Sequence, residues 1–225
     1  MNYTQFHGNT FLFINKNTDE FPLPKESKEV DLTMYYETIV MTYEDTRKQY
    51  TCDFVNKDDS KASLCCNAVL RLMEIEGEGD YVFHTISGLY NGWNNENEMG
   101  LLMPKAEIVK SNTDIQNVQA RWFYVNTGNH HHIILHHKND WRKVCNDMNT
   151  YEKIPEINTH IAKQKNTNTF QVRCFERGVG ETQACGSGAY AVGVAMIKHF
   201  NLNEVKIIMK GGEYIVTNGL LIVKK

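Results

Sequence analysis

Two cysteines sit where thiol chemistry is to be expected. Cys65 follows Leu64 and opens Cys66-Asn67-Ala68, and Cys185 follows Ala184 and opens Gly186-Ser187-Gly188. Behind the first, Val69, Leu72, Met73 and Ile75 keep helical spacing up to Gly77; behind the second, Ala189, Val192, Val194, Ala195 and Ile197 do so up to Asn201. Each thiol is therefore predicted at a strand-to-helix turn, at the N-terminal end of a buried helix. Unpaired backbone N–H groups and the positive end of the helix dipole favour the thiolate there. The glycines let backbone approach a ligand, and their N–H groups can hold a carboxylate or phosphate. Two helix starts converging on one anion would stabilise the charge that develops when a proton leaves the carbon beside a carboxylate. Two thiols on opposite faces of that carbon would remove and return the proton. This is racemisation without a cofactor.

The elements that must position these thiols repeat. Gly8-Asn9 and Gly128-Asn129, Phe54-Val55-Asn56 and Cys174-Phe175-Glu176, and Cys65 and Cys185 are all separated by 120 positions. A glycine turn follows each cysteine, Ser87-Gly88 in one half and Gly211-Gly212 in the other. Strands are predicted over residues 6–14, 170–175, 206–209 and 214–217. With a crossover over residues 104–117, the chain divides into a lobe of residues 1–110 carrying Cys65 and a lobe of residues 111–225 carrying Cys185.

Composition excludes several classes. The 225 residues hold 24 Lys and Arg against 27 Asp and Glu, a net charge of −3, without the basic excess of a nucleic-acid binder. Hydrophobic residues at 41% and charged residues at 23% are ordinary for a soluble protein. No basic segment leads into an apolar run at the N-terminus, and no stretch approaches the roughly 18 apolar residues of a membrane span. The expectation is a soluble, cytoplasmic protein. Six cysteines, at 52, 65, 66, 145, 174 and 185, contain no CxxC pair, so neither a disulfide framework nor a zinc site is expected. His130-His131-His132 and His136-His137 alternate with apolar residues in an extended pattern instead. Cys52, Cys145 and Cys174 read as packing residues. Gly178-Val179-Gly180 lacks the third glycine of a dinucleotide site, and no Walker lysine follows. A lone cysteine nucleophile with a histidine base would leave one matched cysteine unexplained. A non-enzymatic binding module would not need thiols at both helix starts.

The run Phe175-Glu176-Arg177-Gly178-Val179-Gly180-Glu181-Thr182-Gln183-Ala184-Cys185-Gly186-Ser187-Gly188-Ala189 resembles the signature of the diaminopimelate epimerases. Cys65-Cys66-Asn67-Ala68 stands where that family has Cys-Gly-Asn-Gly, with Asn56 and Ser60 upstream. Thr127-Gly128-Asn129-His130-His131 stands at Met-Gly-Asn-Pro-His, and His7-Gly8-Asn9-Thr10-Phe11 at a longer opening motif. The resemblance covers nearly the whole chain and is weakest over residues 15–33 and at the C-terminus.

The resemblance implies an α+β fold of two pseudo-symmetric lobes, each a curved, mostly antiparallel sheet or barrel around a central helix. It implies that Cys65 and Cys185 are the acid–base thiols and that backbone N–H groups around Cys66-Asn67 and Gly186-Ser187 hold the reacting carboxylate. Asn9, Asn56, Asn129, Asn158, Glu176 and Arg177 would grip the far end of diaminopimelate, whose amine and carboxylate suit amides, an acid and an Arg fork. His131 and Glu176 match positions that tune the thiols. The implied function is cofactor-independent epimerisation of LL-diaminopimelate to the meso form, for lysine and peptidoglycan precursors. No cofactor, metal, nucleic acid or membrane is implied; the partner is a small amino acid, with a homodimer by the same resemblance. Departures leave open a related racemase of altered substrate, or a catalytically weak binding homologue. Cys66 and Ala68 replace glycines, His130 replaces a proline, and Thr38 stands at a family glutamine. The segment after Gly211-Gly212 is short, so the tail that returns to the first lobe is expected to be largely missing.

Overall fold

The computed structural model describes residues 2–15, 37–43, 48–56, 61–112, 120–136 and 157–225. Cys145, His137 and Ser60 lie outside them, as do the side chains of Thr38 and Asn56, whose backbone is described. The described residues form seventeen strands and two helices.

The first half runs β1 (Asn2–Phe6), β2 (Asn9–Asn15), β3 (Glu37–Tyr43), β4 (Gln49–Asn56), β5 (Lys61–Ala62), α1 (Cys66–Glu76), β6 (Gly79–Thr85), β7 (Gly88–Asn94) and β8 (Glu98–Leu102). After β9 (Glu107–Ser111) the second half repeats the order. It runs β10 (Ala120–Asn126), β11 (His130–His136), β12 (Asn158–Asn166), β13 (Thr169–Glu176), β14 (Gly180–Thr182), α2 (Gly186–Phe200), β15 (Glu204–Ile208), β16 (Glu213–Thr217) and β17 (Leu220–Lys224).

The pairings repeat as well. β2 is parallel to β3 as β11 is to β12, and β4 is parallel to β6 as β13 is to β15; the remaining ladders are antiparallel. Register agrees to the residue: Phe54 faces Ala62 as Cys174 faces Thr182, and Phe11 lies beside Glu37 as His131 lies beside Asn158. The two halves meet where β8 pairs antiparallel with β17, Gly100 opposite Ile222.

Alternation explains the sheets. On β4, Tyr50, Cys52 and Phe54 point inward, and on β13 the equivalent Phe170, Val172 and Cys174 do so. The helices fill the concave faces and are buried almost all round, from Cys66 to Met73 in α1 and from Gly186 to Met196 in α2. Each stops where the sequence predicts: Gly77 takes a positive φ of 83° and Asn201 a left-handed 53°.

Two expectations are corrected. Residues 6–14 are not one strand, because His7 and Gly8 both take positive φ and turn the chain into the β1–β2 hairpin. The chain end does return to the first half, since β17 completes the ladder with β8.

Candidate active site

Cys65 and Cys185 are the N-cap residues of α1 and α2. Both have extended backbone, with φ/ψ of −111°/97° and −133°/110°, and neither helix start is capped by a side chain. The first intrahelical bonds run from Val69 to Cys65 and from Ala189 to Cys185. The first N–H groups of each helix lie outside the intrahelical ladder, and Cys66, Asn67, Gly186 and Ser187 from the two helix starts line one cavity. Both cysteines line a single cavity of about 310 Å³. Cys65 is 8% exposed and Cys185 6%, so the thiols are reached from the cavity rather than from bulk water.

Most residues expected at the site share that cavity: Asn9, Cys66, Asn67, Asn129, Asn158, Glu176, Arg177, Gly186 and Ser187 all line it. Asn56 closes β4 at the position equivalent to Glu176 on β13. His131 does not line the cavity. It is fully buried on β11, and its Nδ1 lies 2.9 Å from Nε2 of His160 on β12. Burial pushes the imidazoles down, His131 well below its ordinary value and His160 to about 3, so both are neutral at physiological pH.

The asparagines tie the walls together across the halves. Asn9 Nδ2 donates to the carbonyl of Ala184 at 2.6 Å, and Asn129 Nδ2 donates to the carbonyl of Leu64 at 3.3 Å. Each carbonyl immediately precedes a cysteine of the opposite half, and the two bonds are equivalent by the 120-residue offset. Asn67 also donates to Ala184, at 3.3 Å, and accepts from the Tyr214 hydroxyl at 2.6 Å. Asn9 Oδ1, by contrast, is buried with no partner among the described residues. Asn158 Oδ1 accepts the Arg177 N–H at 2.9 Å and so fixes the turn that carries the guanidinium.

Glu176 stands against Cys185. Its Oε1 accepts the Thr182 hydroxyl at 2.5 Å, and its charge is felt by the Cys185 thiol. Burial raises the Glu176 carboxyl above the usual carboxylate range. A modest downward shift is expected for a thiol at a helix start, but Cys185 is pushed well above its ordinary value. Burial is the main cause, the Glu176 charge adds to it, and the Ser187 hydroxyl and the Gly188 N–H oppose it. Desolvation outweighs the helix dipole here. Cys185 is therefore a protonated acid.

Thr182, Lys61, Val179, Ile157 and His130 also line the cavity without having been singled out from sequence. Thr182 carries a legible signal, three residues before Cys185 within the long motif. Cys174, expected as packing, is buried beside Thr182, its Sγ 3.4 Å from both the carbonyl and the hydroxyl of that residue.

The family model for diaminopimelate epimerase matches residues 123–218. A diaminopimelate epimerase of Flavobacterium psychrophilum is 25% identical over 227 aligned positions, which cover 92% of this chain and 85% of that one. Among solved structures, a phenazine biosynthesis protein of the PhzF family from Bacillus anthracis superposes with a TM-score of 0.63 at 13% identity, over 96% of this chain and 89% of that one. A hydroxyproline epimerase from Agrobacterium vitis, solved with trans-4-hydroxy-L-proline, gives 0.52 at 12% identity over 83% and 72%. These likenesses establish the two-lobe fold.

Proposed function

We propose that this chain, an isomerase related to the diaminopimelate epimerases, interconverts LL- and meso-diaminopimelate with Cys65 and Cys185 as its acid–base pair. The observation that carries the reading is that equivalent N-cap cysteines of both halves open on the same cavity.

The chemistry follows from that placement. The α-carboxylate lies between the two helix starts, where N–H groups and the positive ends of the helix dipoles take up the charge that grows as the α-proton leaves. One cysteine, as thiolate, removes the proton from one face of the carbon. The other, as thiol, delivers a proton to the opposite face. Nothing is consumed, and the two cysteines exchange protonation states. In the direction that uses Cys185 as the acid, its raised thiol is already in the required form. In the reverse direction Ser187 and Gly188 support the thiolate that must form.

Around the distal end, Arg177 supplies a fork for a carboxylate, while the unpaired Asn9 Oδ1 accepts from an ammonium. Asn129 and Asn158, which line the same cavity, complete that shell, and Asn56 is assigned to it by family resemblance alone. A cytoplasmic place in lysine and peptidoglycan precursor synthesis, and a homodimeric state, belong to the same reading.

A second reading has its own support. Cys66 and Ala68 put side chains at a helix start where close approach of backbone favours glycine, which points to a related cofactor-independent racemase of a different polar amino acid. One experiment separates the readings: deuterium incorporation at the α-carbon, followed for a panel of amino acids in heavy water. Exchange of LL- and meso-diaminopimelate above all others supports the first reading. Faster exchange of another amino acid supports the second, and no exchange of any would refute both.

A further inference from the structure

The halves are built alike, but around Cys185 the second half departs from the first in a concerted way. By register, His131 is equivalent to Phe11, His160 to Ile39 and Gly188 to Ala68. Two apolar residues and an alanine have become two buried histidines and a glycine.

These three changes fit together spatially. A Cβ placed on Gly188 would fall 2.2 Å from Cε1 and 2.6 Å from Nε2 of His160, so the ring occupies the space an alanine would need. The ring is fully buried and is held from behind by His131 at 2.9 Å. In a neutral pair one ring donates and the other accepts, whichever tautomers are present. This leaves His131 Nε2 and His160 Nδ1, both buried and without partners among the described residues, as one unmet N–H and one unmet lone pair. Such a pair costs stability relative to the apolar residues used in the other half. A role at the neighbouring site offsets that cost.

Gly188 lies in the first turn of α2, whose N-cap residue is Cys185. We propose that His160 is a positioning residue for Cys185: its ring, locked to His131, fixes the first turn of α2 and with it the place of that turn's N–H groups relative to the sulfur when the thiolate forms. The need is specific to this half. The other groups felt by Cys185 are Glu176 and Cys174 from β13, the Ser187 hydroxyl from its own helix and Tyr214 from β16. Glu176 opposes the thiolate, whereas its equivalent in the first half is the uncharged Asn56. A thiol facing a carboxylate needs the positive end of its helix held firmly in place. His131 thus acts on the thiol at one remove, through His160 and Gly188.

The test reads the thiol itself. It rests on the two-thiol reading only for the importance of Cys185, and its outcome is the same whichever amino acid the protein turns over. Alkylation by iodoacetamide is followed across pH, with peptide mapping to separate Cys185 from Cys65 and Cys66. In His160→Ala the Cys185 midpoint should rise by about one pH unit, making alkylation roughly tenfold slower at neutral pH, while Cys65 keeps its profile. His160→Phe, which keeps a ring against Gly188, should restore most of the rate. An unchanged Cys185 profile in His160→Ala, or equal shifts of Cys65 and Cys185, would overturn the proposal. If His160→Ala does not fold, the wild-type protein supplies the measurement. The His160 Cε1–H resonance should move as Cys185 titrates and stay still in Cys185→Ser; a resonance indifferent to Cys185 refutes the contact.

Discussion

Cys66 and Gly186 are equivalent residues of the two halves, and they meet: a Cβ placed on Gly186 would fall 2.6 Å from the Cβ of Cys66. The helix starts approach so closely that only one of the two positions can carry a side chain. Gly186→Ala should cost about 1–3 kcal/mol through overpacking. Adding Cys66→Gly should recover part of that loss, the rest remaining against Asn67 Oδ1 at 2.9 Å. Urea unfolding of the two single variants and the double variant gives the coupling directly. Strictly additive losses would show that the helix starts do not compete.

Replacing either cavity thiol should stop the reaction in both directions. Cys65→Ser and Cys185→Ser should each lose epimerisation, measured as product formation by chiral chromatography. Cys52→Ala and Cys174→Ala should keep it. Both of those thiols are pushed up to about 12, chiefly by burial, and remain protonated at any working pH. Full turnover by Cys65→Ser would end the two-thiol mechanism.

Glu176 raises the Cys185 thiol by its charge, second only to burial. Removing the charge by Glu176→Gln should lower the Cys185 value, so thiolate appears at lower pH and alkylation at neutral pH quickens. Turnover should fall all the same, because Glu176 also belongs to the cavity residues proposed to grip the substrate. Slower alkylation in Glu176→Gln would reverse the assigned electrostatics.

Arg177 should discriminate by the distal group. Losing one charge-assisted bond costs about 1.5–3 kcal/mol, or roughly ten- to a hundredfold. Arg177→Lys cannot reproduce a two-pronged contact, so kcat/KM for diaminopimelate should drop by that order. α-Proton exchange of a short amino acid without a distal carboxylate should be nearly unaffected. Equal losses on both substrates would assign Arg177 to the framework alone.

Acid should loosen the fold through His160. Its folded value is held near 3 against an ordinary 6.5, so between these limits the unfolded chain takes up a proton that the folded one refuses. Stability from this source is complete above pH 6.5 and falls by up to about 1.4 kcal/mol per unit as pH drops towards 3. His160→Phe should flatten the pH dependence of urea midpoints over that range. A slope as steep as in the wild-type protein would place the acid sensitivity elsewhere.

The repeat was legible because burial imposes it on the sequence. Tyr50, Cys52 and Phe54 return as Phe170, Val172 and Cys174 because the same inward pleat must be filled twice. The helix ends at Gly77 and Asn201 were legible for the same local reason. The break at His7-Gly8 was hidden because the flanking residues continue an apolar run. The β8–β17 ladder was hidden because its partners lie more than a hundred residues apart. At the site, the cysteines and their motif placed most of the cavity wall in advance. His131 was expected to tune the thiols, and its pairing with His160 was not legible. Nothing around His160 in the sequence tells that β12 lays it beside β11 and against the first turn of α2.

The β8–β17 ladder sets equivalent strands antiparallel about Gly100 and Ile222, and the Asn9–Ala184 and Asn129–Leu64 bonds are reciprocal across the same axis. Two identical subunits make contacts of this kind around a two-fold axis. The chain has the form of a tethered dimer of half-length subunits, with residues 103–106 between β8 and β9 as part of the tether. Tethering releases the copies from identity. A true dyad would have to offer the same group to both sides of whatever it encloses. The joined molecule offers a carboxylate-flanked sulfur on one side and an asparagine in the equivalent place on the other, so a chiral guest meets two unlike faces while the frame around it stays symmetric.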